Sequence, residues 1–210
     1  MASPRQILHN YVEDTYKIKF NVLGSHVAIG IRGAVPDGDG DIIPTKNEHN
    51  KYDDTLGWFT ADARFLTKGT VEPGKKYTDQ PMNKDGAFYL KKGLYVMIRA
   101  KHFGMPAFNL QRKYPKGVLE GYRDSLRLGR NPIDIDPKAK IRTDATGIDV
   151  HAGGIDINNI AGWSAGCQVV LGDWHSPAWL DFKNPLYASK QTEFLYCLLN
   201  YADIKTALES

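Results

Sequence analysis

His151 follows the short apolar run Ile148-Asp149-Val150, and Cys167 stands sixteen positions on, after Ser164-Ala165-Gly166 and before Gln168-Val169-Val170. Cysteine attack on a carbonyl needs a base in hydrogen-bond reach, an accessible sulfur and backbone N–H groups aimed at the developing oxyanion. These residues supply all three if two neighbouring strands present them. Cys167 is then the nucleophile and His151 the base, taking the thiol proton or holding a thiolate–imidazolium pair. Gly166 lacks a Cβ, so its backbone can approach a substrate closely. The N–H groups of Cys167 and Gly166 are the expected oxyanion donors. The plainer alternative is a buried cysteine and a core histidine with no joint role.

The neighbours divide the same way. Asp149 shares a strand face with His151, either to orient the imidazole or as a solvated residue. Trp163 lines a substrate cleft or packs in the core. Arg123, in Tyr122-Arg123-Asp124, grips a substrate carboxylate bidentately or pairs with Asp124 on the surface. His102, Asp173 and His175 join His151 in no zinc spacing, so no metal is expected and they are taken as surface or turn residues. The run from Asp37 to Glu48 has ligand-like acidic spacing, but Ile42 stands where a calcium loop needs glycine; an acidic turn is expected.

The pattern resembles the L,D-transpeptidase (YkuD-like) catalytic domain family, whose histidine motif is followed at this distance by a Ser-His-Gly-Cys turn. In that family the cysteine is acylated and the histidine is its base, roles the resemblance carries to Cys167 and His151. Ser164 and Gly166 match the turn. The resemblance further implies that the carbonyl of Gly153 or Ser164 orients the imidazole; Gly153 is set with Trp163 and Arg123 among the substrate-side candidates, Arg123 as a replacement for the family arginine. Ala152, Ala165 and Val169 replace a glycine, a histidine and an arginine of the family. With Trp163 before the turn and Gln168 after the cysteine, they place the pattern nearest a divergent, phage-type branch. The match covers roughly residues 145–172.

Which elements would position these residues? Tyr16–Leu23 and His26–Gly33 alternate or run apolar and are predicted as a strand pair around Gly24-Ser25. Residues 34–54 are predicted as a polar loop. Strand-like runs fill Thr55–Phe65 and Gly86–Phe103, the latter as a hairpin around Lys91-Lys92-Gly93. Residues 104–147, rich in proline, are predicted irregular. Two strands carry the motif, and residues 189–207 are predicted as an amphipathic C-terminal helix capped by Ser189. The runs sum to a mainly β fold with a C-terminal helix, and the resemblance implies that it is β-sandwich-like. It forms one domain over 1–210, with an elaborated front half over 1–140 and the motif over 141–175.

The chain has 210 residues, 42% of them hydrophobic and 11% aromatic, enough for a core of its own. The net charge of +3 is compatible with attraction to an anionic cell wall and gives no nucleic-acid footprint. Of the two cysteines, Cys197 sits in an apolar run and is expected in the core, and Cys167 is expected to be a free thiol. No signal peptide or membrane-length apolar run is read. The activity that the resemblance implies is a cofactor-free cysteine peptidase or acyltransferase on peptidoglycan stem peptides. It would be made in the cytoplasm and reach the wall by lysis, in a virion or through a contractile injection machine. Cleavage is expected over cross-linking. The alternatives are a cross-linking L,D-transpeptidase and a non-catalytic wall-binding module of a phage or contractile device.

Overall fold

The computed structural model describes residues 4–18, 26–39 and 41–208. The molecule is mainly β with a C-terminal helix. Its strands are β1 (Val27–Arg32), β2 (Ala34–Pro36), β3 (Ile42–Pro44), β4 (Asp54–Phe59), β5 (Arg64–Thr70), β6 (Ala87–Leu90), β7 (Gly93–His102), β8 (Met105–Lys113), β9 (Gly121–Asp124), β10 (Asp149–Gly153), β11 (Gln168–Leu171) and β12 (Glu193–Asn200). Its helices are α1 (Pro4–Tyr16), α2 (Lys75–Asp79), α3 (Pro132–Ile135), α4 (Pro177–Ala188) and α5 (Tyr201–Leu208). Eight strands close into a ring in the order β1-β12-β7-β8-β10-β11-β5-β4, and the pairs β2–β3 and β6–β9 lie outside it. Strands from the front half and the two motif strands thus belong to one sheet.

Alternate residues of each ring strand face two separate cores. Phe194, Tyr196 and Leu198 point inward with Ala28, Met97, Phe108, Val150 and Val170, and α4 adds Trp179, Phe182 and Leu186 to that cluster. Leu195, Cys197 and Leu199 point outward with Ile29 and Ile31, under Leu8 and Val12 of α1 and Ile204 of α5. An eight-stranded ring leaves an interior just wide enough for side chains to fill.

This double burial explains where the fold departs from the sequence reading. The predicted helix over 189–207 is strand over Glu193–Asn200, and the helix is confined to Tyr201–Leu208. A strand covered on both faces reads as an unbroken apolar run, and periodicity alone does not separate that from a buried helix. Ser189 does not cap that helix; it closes the C-terminus of α4. Helix α4 starts at the N-cap Ser176, whose Oγ accepts from the Trp179 N–H at 3.4 Å, with Pro177 in the first turn. Pro185 inside it masks the pattern.

The predicted strand over Tyr16–Leu23 is also displaced. Tyr16 ends α1, which buries Leu8 and Val12 one turn apart, and residues 19–23 lie outside the described residues. β1 instead pairs with β12 in parallel and with β4 antiparallel. The hairpin predicted around Lys91-Lys92-Gly93 does not form, because β6 pairs with β9 and β7 with β12 and β8. The hairpin that does form joins β7 to β8 through Phe103 and Gly104, at φ 47° and 84°. Two positive φ values are the backbone of a type I′ turn, whose twist matches that of the flanking strands. Its β8 strand, with β9 and α3, falls in the segment predicted irregular; Pro106 hid β8, and it sits at the hairpin end before β10 joins the sheet. The polar segment 34–54 holds β2 and β3, and Asp37 Oδ1 there accepts the Asp39 and Asp41 N–H groups at 2.9 and 2.8 Å, in an acidic turn.

Candidate functional site

β10 and β11 are adjacent and parallel, with His151 opposite Val169. Paired residues in a parallel ladder project from the same face, so Asp149, His151, Cys167 and Val169 all leave the outer face of the ring. Val150 and Val170 fill its interior. Parallel neighbours need a long connection. Here it is the loop 154–167, which folds back over the outer face and carries Trp163, Ser164 and Gly166.

Asn50 pins that loop. Its Oδ1 accepts the N–H groups of Lys75 and Ala161 at 2.9 and 2.8 Å, and its carbonyl accepts from Ile160 at 3.0 Å. The Gly74 N–H donates to the Ser164 carbonyl at 2.9 Å, and the Tyr52 hydroxyl donates to the Gly153 carbonyl at 2.7 Å. Neither predicted carbonyl therefore orients His151. The Ala152 carbonyl does so, 2.8 Å from His151 Nδ1. A carbonyl only accepts, so Nδ1 carries the proton and Nε2 holds the lone pair. Nε2 is buried without a hydrogen-bond partner. The imidazole is 1% exposed, and burial pushes its pKa down to about 4. It is a neutral base with its basic nitrogen unoccupied.

Cys167 is 8% exposed, and its thiol is pushed up to about 12 by burial, against the opposing effect of the Asp149 N–H. That N–H donates to Sγ at 3.5 Å. No hydrogen bond joins Sγ to His151 Nε2. Burial thus favours the neutral form of both groups and works against the thiolate–imidazolium pair offered as one expectation. Desolvation disfavours both charges.

Ser164 and Gly166 shape the turn before the sulfur. Ser164 Oγ donates to the Cys167 carbonyl at 2.8 Å and accepts the Gly166 N–H at 3.1 Å. That N–H is therefore committed within the turn, which leaves the Cys167 N–H as the oxyanion candidate. Gly166 sits at φ +128°, and a Cβ there would come within 2.7 Å of the Phe88 carbonyl. The glycine is demanded by the chain's own packing. Gln168 points inward, donates to the Gly166 carbonyl at 3.1 Å and accepts from the Tyr196 hydroxyl at 2.7 Å. This brace across the ring was not read from the sequence, where a lone glutamine in an apolar run carries no special signal.

A cleft of about 390 Å³ opens over the sulfur, within the size range of small-molecule sites. Cys167, Trp163, Arg123 and His102 line it, whereas His151 and Gly153 do not. Trp163 is 46% exposed and lies over the Cα of Gly153, where a Cβ would come within 2.6 Å of its ring. Arg123 pairs with Asp144 rather than Asp124: Nε lies 3.0 Å from Asp144 Oδ2 and Nη1 donates to the Gly86 carbonyl at 2.9 Å. Asp124 is buried and braces its loop by accepting the N–H groups of Leu128 and Gly129. Asp149 binds His102 Nδ1 at 2.7 Å and Asn109 Nδ2 at 2.6 Å, so its carboxylate orients neither Cys167 nor His151 directly. The sequence reading set His102 among ordinary surface residues. The structure brings it into the cleft, a placement that only the β7–β8 hairpin makes.

Cys167 and Cys197 are both free and lie in different clusters. Among the described residues no group of three or more histidine, cysteine, aspartate or glutamate side chains is placed to hold a metal ion, and no helix is long and apolar enough to cross a membrane. Comparison with protein-family models, with curated proteins and with solved structures gives no match.

Proposed function

We infer that this chain is a cysteine-dependent peptidase or acyltransferase of the L,D-transpeptidase-like, phage-type kind, acting on peptidoglycan stem peptides and favouring hydrolysis over cross-linking. Action at the wall after lysis, virion or injection-machine delivery belongs to the same proposal. One observation carries it: Cys167 lines a cleft just ahead of β11, the parallel partner of the strand that carries His151, whose buried Nε2 has no hydrogen-bond partner.

In the proposed reaction the thiol turns from the Asp149 N–H toward His151. As Sγ attacks a stem-peptide carbonyl, His151 Nε2 takes the thiol proton and the S–C bond forms. The Cys167 N–H holds the oxyanion. Collapse breaks the C–N bond, and the leaving amine takes the proton back from His151. The thioester is then resolved by water, or by an acceptor amine in a transpeptidation. Catalytic hydrogen bonds are often absent or long before substrate binds, so the unjoined thiol and imidazole are compatible with this route.

The neutral, unjoined pair also favours a second reading, a wall-binding module of a phage or contractile device without turnover. Incubating peptidoglycan and isolated muropeptides with the protein and with Cys167→Ala, with products read by mass spectrometry, separates the two. New fragments or lost terminal D-alanine with the parent alone support the hydrolase. New cross-links would make it a transpeptidase. Retention on intact wall without any product would establish the module instead.

A further inference from the structure

Beside the nucleophile and base stands a second imidazole that the reaction above does not use. His102 ends β7, one residue before the tight turn to β8. Its ring stacks on that of His151 with centroids 4.0 Å apart and planes 8° from parallel. Its Nδ1 is tied to Asp149 Oδ2 at 2.7 Å, and Asn109 holds the other oxygen of that carboxylate at 2.6 Å. Trp174 stacks on His151, centroids 6.0 Å apart. Only His102 of the two histidines reaches the cleft.

The arrangement separates the work. His151 is buried and does not line the cleft. Its ring plane is fixed by Ala152 at one edge and by His102 on a face. We propose that His102, anchored by Asp149, is a positioning residue for His151: it sets the plane from which Nε2 meets the thiol and, as the cleft-side member of the stack, adjusts how readily His151 takes a proton. The proposal rests on the assignment of His151 as the base of Cys167. A positive charge this close disfavours a proton on His151, whereas the Asp149 carboxylate favours one there. The charged neighbours that act on His151 are His102 from β7 and Asp149 from its own strand, and Trp174 stacks on the ring without titrating. Consistent with this, His102 contributes to lowering the proton affinity of His151 and Asp149 to raising it.

The two neighbours therefore have opposite signatures, which a merely structural role would not produce. In His102→Phe the ring remains to stack and the charge is lost, so the His151 titration followed by NMR should move up from about 4 toward 6.5. In Asp149→Asn it should move further down. The acid limb of Cys167-dependent turnover should move with it in each variant. Loosened packing would move the titration toward 6.5 in both variants, and that result, or an unchanged titration in both, overturns the proposal. If the parent protein has no turnover at all, the reading of the site as catalytic fails, while the opposed NMR shifts still decide whether His102 governs His151.

Discussion

A single tautomer carries the most weight at the residue scale. Because the Ala152 carbonyl accepts a hydrogen bond from His151 Nδ1–H, Nε2 is a base without a partner. His151→Gln should keep the fold and lower Cys167-dependent turnover by about 10²–10⁴-fold, the usual worth of a general base; turnover equal to the parent would remove His151 from the reaction. The same burial gives a stability signature. With a native pKa near 4 against 6.5 for the free side chain, the folded protein binds fewer protons than the unfolded chain between those values. The stability linked to neutral His151 is complete above about pH 6.5 and is lost as pH falls toward 4, by about 3 kcal/mol in all. Denaturant unfolding at pH 7 and pH 4 should show the parent losing that much more stability than His151→Gln. A parallel loss in both would place His151 outside this linkage. At this scale the placement of His151 and Cys167 on or beside two neighbouring strands was legible because both flank apolar runs. The roles of Ala152 and His102 were not, since one is a backbone atom and the other arrives from a strand forty-nine positions away.

The element that makes the site is the long β10–β11 connection, held by Asn50, Tyr52 and the contact of Trp163 with Gly153. Gly153→Ala would set a Cβ within 2.6 Å of the indole. The ring should be displaced toward solvent, with red-shifted Trp163 fluorescence, measured against Trp163→Phe in the same background, and the cleft above Cys167 should open. An unshifted spectrum would contradict the packing. The two motif strands were legible from their β-branched runs. Strand β12 was not, because burial on both faces erased the alternation that marks a strand, and β8 was hidden by Pro106 at its hairpin end. The turn at Phe103-Gly104 has only one glycine to announce it, and the first of its two positive-φ positions is held by phenylalanine.

Taken whole, the molecule places its two thiols in different layers. Cys197 lies in β12 between the ring and the α1–α5 cover and is fully buried, whereas Cys167 sits under a single loop. Iodoacetamide at pH 8 should label Cys167 slowly, because burial holds it as the thiol. Cys197 should label only at the rate of global unfolding, with that difference vanishing in denaturant. Equal rates in the native protein would show that the covering helices do not seal β12. The closure of front-half strands and motif strands into one ring also means that core truncation is felt at the site. Trp179→Ala, in the inner cluster, should cost about 3–5 kcal/mol of global stability by denaturant unfolding. The most direct measurement of the central claim is the intact mass of the protein after brief incubation with muropeptides and acid quenching. An added mass equal to an acyl fragment of the stem peptide, mapped to Cys167 and absent in Cys167→Ala, is expected. Turnover of muropeptides with no adduct on Cys167, and equally by Cys167→Ala, would contradict it.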